Sequence, residues 1–257
     1  MAMITTEDFK ALSKNELVSV AEFNYKALSI TTAEGLETAI QNLKHLIPYD
    51  YAVSAINNVR ALKIKIIDVM NISYPPEFLE NYFKHSFEHK DPLLDSHIKH
   101  FTVQVWSDIL NKTDSDPILE HLAGDFNMNE GFVFGMLEPT NHINSFFCFA
   151  GTKLTPETRH ITVCNMVAPL LHQAYMWVLP TKVRTLMGHP VVPNLTEREK
   201  EMLKWLKQGK TNWEISVILR ISESTVKHHF RNIVSKLDAT GKAHAMAKAL
   251  QMRIIPF

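Results

Sequence analysis

Three groups of residues in the 257-residue chain have types and spacings that could do chemistry. The first is Ser224, Lys227, His228 and Arg231, within S-x-S-T-V-K-H-H-F-R. If Val226, Phe230 and Ile233 face inward on a helix, these four project the other way. A short, polar, cationic row of this kind suits a helix seated in the major groove of DNA. The second group gathers Tyr74, Phe78, Tyr82, Phe83 and Trp106 around one carboxylate, Asp91. An apolar pocket with a few polar groups is how a small amphiphilic ligand is held. Aromatics at helical spacing are also what an ordinary core looks like. The third is His85-Ser-Phe-Glu88-His89, an H-x-x-E-H sequence that on one helix would place two zinc ligands and a base together. No evident third ligand sits in a second motif, and with 13 histidines a chance match is expected.

These residues need elements to position them. Around the basic row the punctuation is dense. Thr196 and Glu199 form one capping box, and Thr211 and Glu214 form another. Gly209 ends the first helix. Ser222 caps a third, and Gly241 separates it from a fourth carrying Ala243, Met246, Ala247 and Leu250. Two short helices joined by a tight turn, the second bearing the basic row, make a helix-turn-helix.

Upstream, helices and strands alternate irregularly. Helical patterns cover residues 31–47 (capped by Thr31 or Thr32), Pro76–Phe87, Pro117–Phe126 and Thr155–Leu179. Pro169 is expected to kink or break the last. Strand patterns cover Tyr51–Ile56, Ile64–Ile72, Val103–Trp106, Phe132–Leu137 and Ser145–Ala150, the last two joined as a hairpin. Helices around an antiparallel sheet predict an α+β chain: an N-terminal α/β/α sandwich followed by an all-α four-helix domain. The segment from Pro180 to Asn194, with three prolines and a glycine, reads as linker. The expected division is 1–180 for signal binding and dimerisation, 181–194 as linker, and 195–257 for DNA binding.

Charge divides along the same line. Residues 1–180 hold 13 Lys/Arg against 21 Asp/Glu, and residues 181–257 hold 14 against 6. This fits a basic phosphate-binding module on an acidic body, and it equally fits a chance division of solvated charge. No apolar run reaches the roughly 18 residues that span a bilayer, so no membrane role is expected. The N-terminus lacks the pattern of a signal peptide, and Cys148 and Cys164 do not make a disulfide framework; a cytoplasmic protein is expected. The glycine motifs of nucleotide-binding loops and the G-x-S-x-G of hydrolases are absent from the sequence, so neither a cofactor nor a metal is expected.

Residues 195–252 closely resemble the DNA-binding domain of LuxR-type regulators. The matching positions include Glu199, Leu203, Gly209, Glu214, Ile215, Val226, Lys227, Asn232 and Leu237. The resemblance implies that Ser224, Lys227 and Arg231 face base edges and that Thr225, His229 and Lys236 touch phosphates. It also implies that the fourth helix pairs with its twin in a homodimer on a palindromic operator.

At lower specificity, residues 30–180 resemble the quorum-sensing branch of that family, whose N-terminal domain binds acyl-homoserine lactones. The matching set is Tyr82, Asp91-Pro92, Trp106 and Gly131, with Tyr74 and Cys148 on the same pocket. The resemblance implies that Tyr74 donates to the acyl carbonyl and that Asp91 accepts the amide N–H. Cys148 stands where relatives often carry a hydroxyl. Phe78 departs from the pattern: the family has Trp there, whose indole N–H binds the lactone carbonyl, and phenylalanine has no donor. Either other donors or water hold that carbonyl, or the signal belongs to another chemical class. Besides a ligand-responsive transcription factor, two alternatives stand: a DNA-binding protein with a ligand-independent dimerisation domain, and a zinc hydrolase using His85, Glu88 and His89.

Overall fold

A computed structural model describes residues 5–60, 63–138, 142–152, 154–180, 183–184, 195–252 and 254–255. The chain divides into two compact units, Met1–Gly188 and His189–Phe257. Most of the expected linker lies outside the described residues.

The first unit is built on an antiparallel sheet. Its strands are β1 (Tyr51–Arg60), β2 (Lys63–Asn71), β3 (Gln104–Val105), β4 (Glu130–Phe134), β5 (Leu137–Glu138) and β6 (Ile143–Gly151). They lie in the order β2-β1-β6-β4-β3, and β5 pairs with the start of β6. Strand side chains alternate between faces, so β6 serves two cores at once. Ile143, Phe147 and Phe149 face α2 (Lys14–Ala27), α3 (Ala33–Asn42) and the long α8 (Thr158–Val178). Phe146, Cys148 and Ala150 face α4 (Pro76–Lys84), α5 (Pro92–His100), α6 (Trp106–Leu110) and α7 (Pro117–Asp125). A five-residue helix, α1 (Thr6–Lys10), precedes them. The result is the expected α/β/α sandwich.

Several boundaries differ from the sequence pattern. Thr32 caps α3, which tightens into a 3-10 turn at Leu43–His45. Trp106 starts a helix instead of ending a strand. Pro169 does not break α8, which runs unbroken through it. The missing backbone donor is offset by burial on both sides of the proline: Val167, Ala168 and Leu171 are all in the core.

The second unit is all-α: α9 (Glu197–Lys207), α10 (Asn212–Leu219), α11 (Glu223–Lys236) and α12 (Lys242–Gln251). Both expected capping boxes are present, and Ser222 caps α11 by accepting from the Thr225 N–H. Gly209 sits at φ +79°, the left-handed turn that favours glycine after a helix. Met202, Leu203, Ile215, Val226, Phe230, Ile233 and Leu237 close the core.

Candidate ligand pocket and DNA-recognition helix

The pocket side of the sheet supports a cavity of about 130 Å³. Its floor is Val53, Ala55 and Asn57 of β1 with Phe146 and Cys148 of β6; α4 to α7 and the residues leading into them wall it with Tyr74, Phe78, Tyr82, Asp91, Trp106 and Leu119. Proline at the first turn of α4 and at that of α5 sets the helix starts, as its fixed φ allows.

Asp91 is the N-cap of α5. Its Oδ1 accepts from the Leu93 N–H at 2.8 Å, and its Oδ2 accepts from the Tyr82 hydroxyl at 2.8 Å. Burial pushes the Asp91 carboxyl above its ordinary pKa, and these donors recover only part of the shift. Tyr82 is held protonated, first by burial and then by the Asp91 charge, so it remains a donor. Tyr74 contacts the Cys148 Sγ at 3.4 Å through its hydroxyl. Burial pushes the Cys148 thiol up to about 12, so it stays neutral. Trp106 Nε1 is buried and has no nitrogen or oxygen partner among the described residues; it is near enough to the Cys148 sulfur to offset a little of the rise in that thiol's pKa.

Phe78 packs edge-on against Tyr74 at 5.3 Å and Phe126 at 5.9 Å and stacks with Tyr82 at 6.2 Å. Gly131 does not line the cavity. A Cβ there would meet Trp106 Cε2 at 2.5 Å and Nε1 at 2.6 Å, so its hydrogen makes room for the indole. Phe83 does not line the cavity either: it is 41% exposed and packs edge-on against Tyr82. Neighbouring helix positions point about 100° apart, so Phe78 and Tyr82 share a face that Phe83 leaves. Asp91 is not the sole carboxylate here, because exposed Glu120 of α7 stands among the lining residues. Sequence reading passed over Asn57, Leu119 and Phe146. The alternation Asn144, Phe146, Cys148 is the signal that finds the last.

The zinc sequence does not lie on one helix. The α4 helix ends at Lys84, Ser86 adopts φ +52°, and a separate turn covers Phe87–His89. His85 and His89 therefore lose the one-turn helical spacing that two ligands on one face need. Among the described residues no group of three His, Cys, Asp or Glu could hold a metal ion.

On α11, Ser224, Lys227, His228 and Arg231 are exposed, opposite buried Val226, Phe230 and Ile233. Arg231 has no hydrogen bond or ion pair among the described residues, whereas Lys227 pairs with Glu223 at 2.9 Å. Ser224 and Thr225 share the capping hydroxyl of Ser222 at 2.7 and 2.8 Å. His228 Nε2 lies 3.3 Å from the Asn232 amide, and His229 is half-buried beside it. Lys236 is turned to the protein: its Nζ sits 2.8 Å from Glu199, whose side chain is only 3% exposed.

Comparison with known proteins identifies the family of each part of the chain. Residues 193–249 match the family described as bacterial regulatory proteins, luxR family, and residues 32–175 match the autoinducer binding domain. The quorum sensing-dependent transcriptional regulator RpaR of Rhodopseudomonas palustris is 32% identical over 187 residues, covering 71% of this chain and 73% of that protein. The quorum-sensing regulator RhlR of Pseudomonas aeruginosa is 30% identical over 187 residues, covering 71% and 74%. The crystal structure of Escherichia coli SdiA aligns over 94% of this chain and 99% of its own, with a TM-score of 0.51 and 23% identity, a likeness of fold. No helix among the described residues is long and apolar enough to cross a membrane. The chain belongs to the LuxR family of bacterial regulatory proteins: it is a transcriptional regulator of the quorum-sensing type, with an autoinducer-binding domain and a helix-turn-helix DNA-binding domain, and not an enzyme.

Proposed function

We propose that this regulator is a cytoplasmic homodimer that binds an acyl-homoserine lactone, or a related small amphiphilic signal, and reads a palindromic operator. Residues 1–180 bind the signal and dimerise, 181–194 link, and 195–257 bind DNA. The carrying observation is the Asp91 carboxylate, enclosed in an aromatic cavity with one donor on each oxygen. A carboxylate offers about four lone-pair sites, so acceptor capacity is left over in a place where charge is costly to enclose. A ligand N–H supplies the missing charge-assisted bond. The Tyr74 hydroxyl, whose contact is a weakly bonding sulfur, donates to the acyl carbonyl. Phe78 cannot hold the lactone carbonyl, and the Trp106 Nε1–H, which has only the weakly accepting Cys148 sulfur near it, is the donor at hand. On α11, Ser224, Lys227, His228 and Arg231 face base edges, with Thr225 and His229 toward phosphates. Signal binding shifts the population of DNA-competent protein.

Calorimetric titration with a panel of acyl-homoserine lactones tests the reading. Asp91→Asn exchanges an acceptor for donors and should weaken a bound amide-bearing signal by about tenfold or more. Phe78→Trp should preserve or improve lactone binding if the lactone is held without an indole at that position. If the pocket is instead fitted to another class around phenylalanine, the larger ring should overpack it and cost about 1–3 kcal/mol. Signal binding unchanged in Asp91→Asn would mean that Asp91 does not touch the ligand, whereas a wild-type protein that binds no signal would leave the first unit as a ligand-independent dimerisation module.

A further inference from the structure

The same sheet face carries a second polar feature that the head-group residues do not use. Asn57 of β1 borders the cavity and is fully buried, yet neither its Oδ1 nor its Nδ2 has a hydrogen-bond partner among the described residues. Asn144 lies directly opposite it on β6, is also fully buried, and is likewise unpartnered at both atoms. Two buried amides, unpartnered at all four polar atoms, thus stand on one rung of the sheet, and Asn57 is the one that borders the cavity. A buried polar atom left unpaired is costly, so a leucine pair would serve a purely structural role better.

Their position relative to Asp91 follows from the register. Val53 pairs with Cys148 on β6, beside Tyr74 and the Asp91 end of the cavity. Ala55 pairs with Phe146 on the next rung of that face, and Asn57 with Asn144 on the one after. Four steps along the strand take Val53 to Asn57, about 13 Å. The cavity wall therefore has a polar end at Asp91 and Tyr82, an apolar middle at Ala55 and Phe146, and a second polar end at Asn57.

We infer that Asn57, supported by Asn144, is a subsite for a hydrogen-bonding group at the far end of the signal's acyl chain. The inference rests on the acyl-amide reading of the Asp91 end. A carboxamide both donates and accepts, so a neutral group that does the same, a hydroxyl above all, satisfies it best. The signal is then polar at both ends and apolar between them. A plain alkyl tail would leave both amides as they are and would gain nothing from them.

The test compares plain hexanoyl-, octanoyl- and decanoyl-homoserine lactones with their ω-hydroxy counterparts, titrated into the purified full chain, into Asn57→Leu and into Asn144→Leu. In the wild type, at one chain length or more, the hydroxylated lactone should bind about tenfold tighter than its plain partner. In Asn57→Leu the order should reverse, because an apolar wall rejects the hydroxyl. Should Asn57→Leu fail to fold, loss of the preference in Asn144→Leu carries the same information. Plain lactones binding the wild type as tightly at every length would overturn the inference and leave the Asp91 reading standing. A hydroxyl preference that survives in the leucine variants would also overturn it. Absence of binding by either series would sink the Asp91 reading and the inference with it.

Discussion

Lys236 Nζ lies 2.8 Å from Glu199 Oε2, the same oxygen that accepts the Thr196 N–H at 2.7 Å. One carboxylate thus caps α9 and anchors the end of α11. Burial alone would raise the Glu199 pKa, but Lys236 and the Thr196 backbone outweigh it and hold it below the ordinary glutamate value. The lysine's part is therefore structural before it is phosphate contact. Lys236→Met should lower the stability of the C-terminal unit by about 1 kcal/mol, discounted for the lysine's partial exposure. It should change the salt slope of DNA binding by less than one ion. Denaturant melts and salt-dependent gel shifts measure the two. A full-ion change in slope with no loss of stability would return Lys236 to the phosphate backbone.

Arg231 is the contrasting cation, exposed on the outer face of α11 and without an ion pair among the described residues. Arg231→Ala should cost about 1–3 kcal/mol on a specific site and relax preference at one base position. Lys227→Ala should cost less, because its pairing with Glu223 must be given up on binding. Competition binding against single-base variants of the operator checks both. Unchanged affinity and unchanged base preference in Arg231→Ala would mean that α11 does not read bases.

Gly131 connects sheet and pocket through Trp106. Gly131→Ala sets a methyl group within 2.6 Å of the indole nitrogen and 2.5 Å of the Phe149 carbonyl oxygen. Backbone on one side blocks relaxation, so the indole must move. Overpacking of this kind costs about 1–3 kcal/mol, and signal affinity should fall with it. Tryptophan fluorescence should shift in the unliganded variant; a wild-type spectrum together with wild-type affinity would contradict this account.

His97 links the pocket core to acid stability. It is fully buried, its Nε2 lies 3.0 Å from the Ser145 carbonyl, and its ring packs against Phe146. Burial lowers its pKa to about 4. The folded state therefore holds a neutral imidazole while the unfolded chain protonates near 6.5, so stability is complete above pH 6.5 and falls as pH drops toward 4. The full loss is about 3 kcal/mol. His97→Gln keeps a donor for Ser145 without the titration, and its melting temperature should fall less between pH 7 and pH 5. Parallel wild-type and variant curves would show that His97 does not drive the acid loss.

How far the sequence foretold this varies with range. The helix caps of the second unit are local, and Thr196, Thr211 and Ser222 stand where their spacing put them. The Ser13–Glu16 box that starts α2 carries the same local signal, with Val20, Phe23 and Ala27 behind it. The end of α4 depends on Ser86 entering a left-handed conformation, which helical periodicity does not encode, so the H-x-x-E-H spacing alone could not tell that its histidines leave a common helix. Lys236 and Glu199 are 37 residues apart, and only tertiary packing joins them. The pocket aromatics were legible as a set, whereas the orphaned Asn57 looked like any polar residue in a strand until its neighbours were known.

Strand β6 is buried along its whole length, with alternate side chains committed to different cores. A one-residue slip would exchange Phe147 and Phe149 for Phe146 and Cys148 on the face toward α8, so the register is locked from both faces at once. The strand is then a shared beam: a ligand that tightens one side must slow the opening of the amides that also support α8. In hydrogen exchange, a signal seated against Cys148 should protect β6 and the buried stretch of α8 together, as one cooperative unit, although none of the α8 side chains borders the cavity.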